Sequence, residues 1–194
     1  MDRREAIKRT SVLLGGTLSA PVIAGLMKGC TPAGEVIDWK PVFFTDEQAK
    51  AISVIADVFI PTTDTPGAKE VGVPQFIDTM ANLTYDEEYQ GKLRNGLDEF
   101  LNMIKTEKQK PFDELDAEVK IQLVGDLNKE AVATVPLPPP EERSFLLLIK
   151  ELIILGYCMS EVGASKVLQY DPVPGAYIGC VPYEEVGGKQ WASR

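Results

Sequence analysis

The sequence predicts an all-α protein: a single domain of about five helices followed by an irregular, Pro/Gly-rich C-terminal tail. Three observations predict it. Apolar residues recur at helical spacing, helix-starting and helix-stopping residues bracket the periodic stretches, and no stretch alternates apolar with polar residues for long enough to read as a strand. A chain of 194 residues, 44% hydrophobic and 25% charged, is sufficient for one real core. The boundaries read as 1–29 for an export signal, 30–44 for an extended lead-in, 45–169 for the helical domain and 170–194 for the tail.

The elements follow in order. In the lead-in, Trp39, Val42, Phe43 and Phe44 are expected to dock on the domain. Thr45-Asp46-Glu47-Gln48 is a capping box, with Thr45 as N-cap and Gln48 three residues into the helix. The helix it opens places Ile52, Ile55, Ala56 and Phe59 on one face, and Pro61 ends it. Residues 61–68 form a turn-rich loop. A second helix is expected over 73–83, with Phe76, Ile77 and Met80 inward. The third covers 86–109 with an apolar face of Tyr89, Leu93, Leu97, Phe100, Leu101 and Ile104. Phe112 and Leu115 lead into the fourth, over 116–132, which uses Ile121, Val124 and Leu127. A proline-rich connector at 136–140 precedes the fifth, over 141–162. That helix is apolar on nearly all sides, which makes it either the centre of the core or a membrane segment. Lys150-Glu151 in its middle and its short apolar length predict the core.

The first thirty residues read as an address. Arg3-Arg4 stand at the start, followed by Ile7-Lys8 and a weakly apolar Gly/Ser/Ala-rich stretch that runs to Met27. This is the layout of a signal segment, not of a bilayer span. It resembles a twin-arginine signal, with Ala6 where that pattern carries a bulkier residue. The alternative is an ordinary secretory signal. Met27-Lys28-Gly29-Cys30 resembles a lipobox, which makes Cys30 the expected lipidation site; the alternative is processing elsewhere, with Cys30 an ordinary thiol. Loss of the first 29 residues removes five cations and two anions, so the mature chain is more acidic than the full-length −9. An anionic membrane surface repels such a chain, and attachment to it rests on the lipid.

Composition excludes several functions. The net charge of −9, with no basic stripe after residue 30, argues against nucleic acid. The sequence has no histidine. That removes the usual general base near neutral pH, Ser-His-Asp and Cys-His devices, and His-ligated zinc or haem. No Gly-x-Gly-x-x-Gly follows a strand, so no dinucleotide site is expected. The expectation is no catalytic residue, no metal ligand and no cofactor in this chain.

Two stretches are idiosyncratic. One is Ala56-Asp57-Val58-Phe59-Ile60-Pro61-Thr62-Thr63-Asp64-Thr65-Pro66-Gly67-Ala68, continued by Val71-Gly72-Val73-Pro74 and Phe76-Ile77-Asp78. The other is Ser160-Glu161-Val162-Gly163-Ala164 and then Tyr170-Asp171-Pro172-Val173-Pro174-Gly175-Ala176-Tyr177-Ile178-Gly179-Cys180. With the signal, they make the chain resemble the gluconate 2-dehydrogenase subunit 3 family across essentially the whole mature sequence. The resemblance implies a small non-catalytic subunit beside a large flavoprotein dehydrogenase of the glucose-methanol-choline type, with FAD in that partner and often a multihaem cytochrome c subunit. It implies a periplasmic location, and a small subunit that supplies the export signal its partner lacks. The competing readings are a stand-alone lipid-anchored periplasmic binding module for a sugar or peptide, and an enzyme in its own right with a bound cofactor.

Three groups of residues follow from this reading. Asp57 and Asp64 form a carboxylate pair open to acid–base work, but Asp64 before Thr65-Pro66-Gly67 reads as a turn residue. Cys158 and Cys180 are a candidate disulfide in an oxidising compartment; closing a loop of about 22 residues would stabilise by roughly 3 kcal/mol. The alternatives are a buried thiol at Cys158 and a bond from Cys180 to a partner. Tyr170, Asp171, Pro172, Pro174 and Tyr177 make a stiff, partly aromatic strip of low ordering cost, expected to bind the flavoprotein or, alternatively, to fold back on its own domain.

Overall fold

Thr45 begins the first helix as its sequence dictates. Its hydroxyl accepts the N–H of Gln48, and the Gln48 amide oxygen accepts the N–H of Thr45 at 3.1 Å. In the computed structural model, residues 35–133, 139, 142–171, 173, 175, 176 and 180–192 are described. They contain five α-helices: α1 (Asp46–Phe59), α2 (Val73–Leu83), α3 (Glu87–Lys108), α4 (Ala117–Ala131) and α5 (Phe145–Met159). A 3-10 turn, Phe112–Glu114, precedes α4, and a π-helical turn, Gly163–Val167, follows α5. No strand occurs among the described residues; one isolated bridge pairs Gln169 with Trp191. The fold is all-α.

The helix α5 is the hub and packs against α1, α2, α3 and α4. Its Leu148, Ile149 and Ile153 are fully buried. Around them lie Ile52 and Ile55 of α1, Ile77 of α2, Leu93, Leu97 and Ile104 of α3, and Val124 of α4. Burying each such side chain is worth about 1.5–3 kcal/mol, so this shell holds the bundle together. Polar contacts set the register of the helices within it. Buried Gln48 donates to Asp98 on α3 at 2.7 Å, and Lys150 of α5 donates to Asn128 of α4 at 2.8 Å.

The structure corrects the sequence reading at several points. Val42 is 66% exposed, while its neighbours Phe43 and Phe44 are buried and Trp39 is half-buried. The chain bends over residues 42–44, turning three successive N–H groups toward the Asp78 carboxylate and leaving the Val42 side chain outside. Ile121 is 58% exposed; α4 turns Val124 inward, with Val119, Leu123 and Leu127 partly buried beside it. The fifth helix is shorter than 141–162. Ser144 is extended at its start, and Ser160, with φ −65° and ψ 151°, breaks it at the end. The Ser160 hydroxyl donates to the Tyr157 carbonyl at 2.8 Å and accepts the Gly163 N–H at 2.9 Å, replacing helical bonds by local ones. Only a glycine fits at 163, because a Cβ there would lie 1.9 Å from the Tyr157 carbonyl oxygen.

The described part of the tail is irregular, as expected, yet tied down. Gln169 donates to the Gln190 carbonyl at 2.7 Å, and Ala192 donates to the Gln169 carbonyl at 2.9 Å. Cys158 and Cys180 are free thiols, not a disulfide. Cys158 is half-buried on α5 and Cys180 is exposed, and the tail makes its return contact at Trp191 instead.

Candidate functional site

The two idiosyncratic stretches meet at one end of the bundle. The Tyr157 hydroxyl donates to the Pro66 carbonyl at 2.7 Å, across 91 positions of sequence. The Tyr157 carbonyl in turn holds Ser160, which holds Gly163. A chain of hydrogen bonds therefore runs from the 61–68 loop into the 160–164 turn. Beside it, the Phe76 ring lies where a Cβ on Gly156 would sit, so α2 and α5 approach closely.

The same loop forms one wall of a cleft of about 560 Å³. Its other walls are the lead-in at Val36, Ile37, Asp38 and Trp39, α1 at Ser53 and Asp57, and the start of α2 at Gly72, Pro74 and Gln75. Asp78 fixes the lead-in next to this cleft. Its carboxylate, only 2% exposed, accepts the N–H groups of Val42 at 2.7 Å, Phe43 at 3.0 Å and Phe44 at 2.9 Å. Arg94 completes the clamp: it donates to the Phe43 carbonyl at 2.7 Å, with its guanidinium 3.8 Å from the Phe43 ring centre.

The cleft is rich in acceptors. Gln75 Oε1 is buried and has no hydrogen-bond partner. Ser53, only 2% exposed, lines the cleft from α1. Asp38, Asp57 and Glu70 are exposed at the rim, and their carboxylates likewise have no partner there. The cation in the lining, Lys69, pairs with Glu35, an ion pair without hydrogen-bond alignment.

The residues singled out in the sequence fall apart in space or beyond view. Asp57 lines the cleft, while Asp64 sits in the exposed loop, where Thr63 donates to it at 3.0 Å; Thr63, not Asp64, makes the local turn bonds. Tyr170 is 54% exposed, and Asp171 accepts the Val173 N–H at 3.0 Å. Arg3, Arg4, Cys30, Pro172, Pro174 and Tyr177 lie outside the described residues. Ser53, Gln75 and Asp78 carry no local motif that marks them; the only signal was the density of unusual residues from 56 to 78. Among the described residues no three Cys, Asp or Glu side chains come together as a metal site, and no helix is long and apolar enough to cross a membrane.

The fold and this bundle end define a small helical protein with an acceptor-rich cleft between the lead-in and α2. The model of the family "Gluconate 2-dehydrogenase subunit 3" matches residues 46–175, and the chain belongs to that family. It is thus an accessory-type subunit of a dehydrogenase complex. The match runs from α1 to the start of the tail and stops short of Cys180. Searches of curated proteins and of solved structures return no match.

Proposed function

We propose that this chain is the non-catalytic small subunit of a periplasmic FAD-dependent sugar or polyol dehydrogenase. It binds the large flavoprotein subunit, lends it a twin-arginine export signal through Arg3 and Arg4, and remains as a scaffold after transport. Cys30 carries a lipid that tethers the complex to the membrane, and FAD belongs to the partner. A cytochrome c subunit completes the electron path.

Family membership carries this reading. Surface chemistry supports it: Ile154, Leu155 and Met159 are exposed on the outer side of α5, and Tyr170 is exposed just beyond. Large apolar side chains grouped on a surface are what a protein partner covers, and Tyr is a favoured anchor there. The described part of the tail strip, Tyr170 and Asp171, lies on the solvent side and is available to the partner.

The test is the double substitution Arg3→Lys, Arg4→Lys in the native host. The proposal expects the flavoprotein to vanish from the cell envelope together with the small subunit. A flavoprotein that still reaches the envelope in full amount would overturn the escort role.

A further inference from the structure

Resting on that reading and going beyond it, we propose that the cleft between the lead-in and α2 receives a cationic side chain, an arginine or lysine, projected by the partner subunit. The starting point is hydrogen-bond accounting. Buried polar groups in folded proteins are nearly always satisfied, yet Gln75 Oε1 lines this cleft without a partner, beside the buried Ser53. A carbonyl oxygen accepts only, so Gln75 requires a donor.

The charges select among donors. Asp38, Asp57 and Glu70 rim the cleft without partners, and Lys69 is already held by Glu35. The local field is negative and favours a cation over a neutral polyol. A divalent metal ion fits poorly, because no three ligating carboxylates or thiols converge among the described residues. The half-buried indole of Trp39 supplies an aromatic wall for a guanidinium or ammonium group.

Charge complementarity argues that the cation comes from the partner: three carboxylates line the cleft, and the lining's own cation is already paired. The accessory reading supplies a partner subunit, and a long cation filling a pocket at an interface is a typical energetic anchor.

The test has two arms. First, in the full chain carrying Trp191→Phe, Trp39 is the sole tryptophan of the original two. Ethylguanidinium chloride should change its fluorescence saturably at constant ionic strength, and Asp57→Asn with Gln75→Leu should abolish the change. Saturation by sorbitol and not by ethylguanidinium would overturn the proposal in favour of a polyol site. Second, Asp57→Asn with Glu70→Gln, both at exposed positions, should weaken binding to the purified flavoprotein at least about tenfold with an unchanged circular dichroism spectrum. Undiminished binding by this variant would overturn the cleft's role while leaving the accessory reading intact. Failure of the unsubstituted chain to bind the flavoprotein would instead defeat the accessory reading.

Discussion

The carboxylate of Asp78 accepts the backbone N–H of Phe43 at 3.0 Å, joining the middle of α2 to the lead-in across 35 positions of sequence. Its bonds to Val42 and Phe44 make Asp78 the buried anion that three successive N–H groups surround. Hydrogen bonds to a charged group are each worth about 1.5–3 kcal/mol and do not add fully. Asp78→Ala is therefore expected to cost about 3–4 kcal/mol in urea unfolding. The Trp39 emission of the folded variant should also shift to the red as the lead-in leaves. A loss below about 1 kcal/mol would contradict the clamp.

Tyr157→Phe removes the hydroxyl that holds Pro66. The expected loss is about 1 kcal/mol, typical of one neutral hydrogen bond. Amide exchange should rise at Ala68, whose N–H bonds the Ile60 carbonyl within the same loop. Unchanged exchange there would mean that the loop holds its shape without Tyr157.

Gly163→Ala sets a methyl group against the Tyr157 carbonyl, which is backbone and cannot rotate away. Relief requires opening the turn after Ser160. A loss of about 1–3 kcal/mol is expected, read as a lower melting temperature, with the release of the Lys189 contact to the Lys166 carbonyl visible by NMR. Wild-type stability in this variant would contradict the geometry of the turn.

Tyr85 and Tyr89 stack with ring centres 4.2 Å apart. Burial, then the charge of an ionised Tyr85 and that of Glu151, push the Tyr89 phenol up to about 12, against the opposing effect of Arg143. The folded state then keeps its proton while the unfolded chain, near 10, loses it. Stability is full below pH 10 and falls as pH rises from 10 towards about 12. Burial and Glu151 raise the Tyr85 phenol as well, so the absorbance of tyrosinate should show a late-titrating component that shrinks in Tyr89→Phe, and the same variant should lose less stability over that window. A Tyr89 phenol that titrates near 10 would contradict this.

Much of the bundle was legible in the sequence because its signals are local. Thr45 with Gln48 and the apolar faces of α1 and α3 are read within one or two turns of chain. The errors are also physical. Ile121 fits a helical stripe as well as Val124 does, and only the position of α5 decides which one faces inward. Ser160 looks like any polar residue at a helix end until its hydroxyl is seen to bond at both sides. Asp78 and Gln75 were opaque for another reason: their significance comes from the lead-in folding back across α2, a non-local contact with no periodicity. The pairing considered for Cys158 and Cys180 assumed that the tail returns at residue 180, whereas it returns at Trp191.

The most direct measurement is isolation of the C-terminally tagged chain from the native cell envelope, with an absorbance spectrum and subunit masses of the eluate. The account predicts a large copurifying subunit with flavin bands, at a fixed ratio to this chain. A lone colourless protein of 21.3 kDa or less would contradict it.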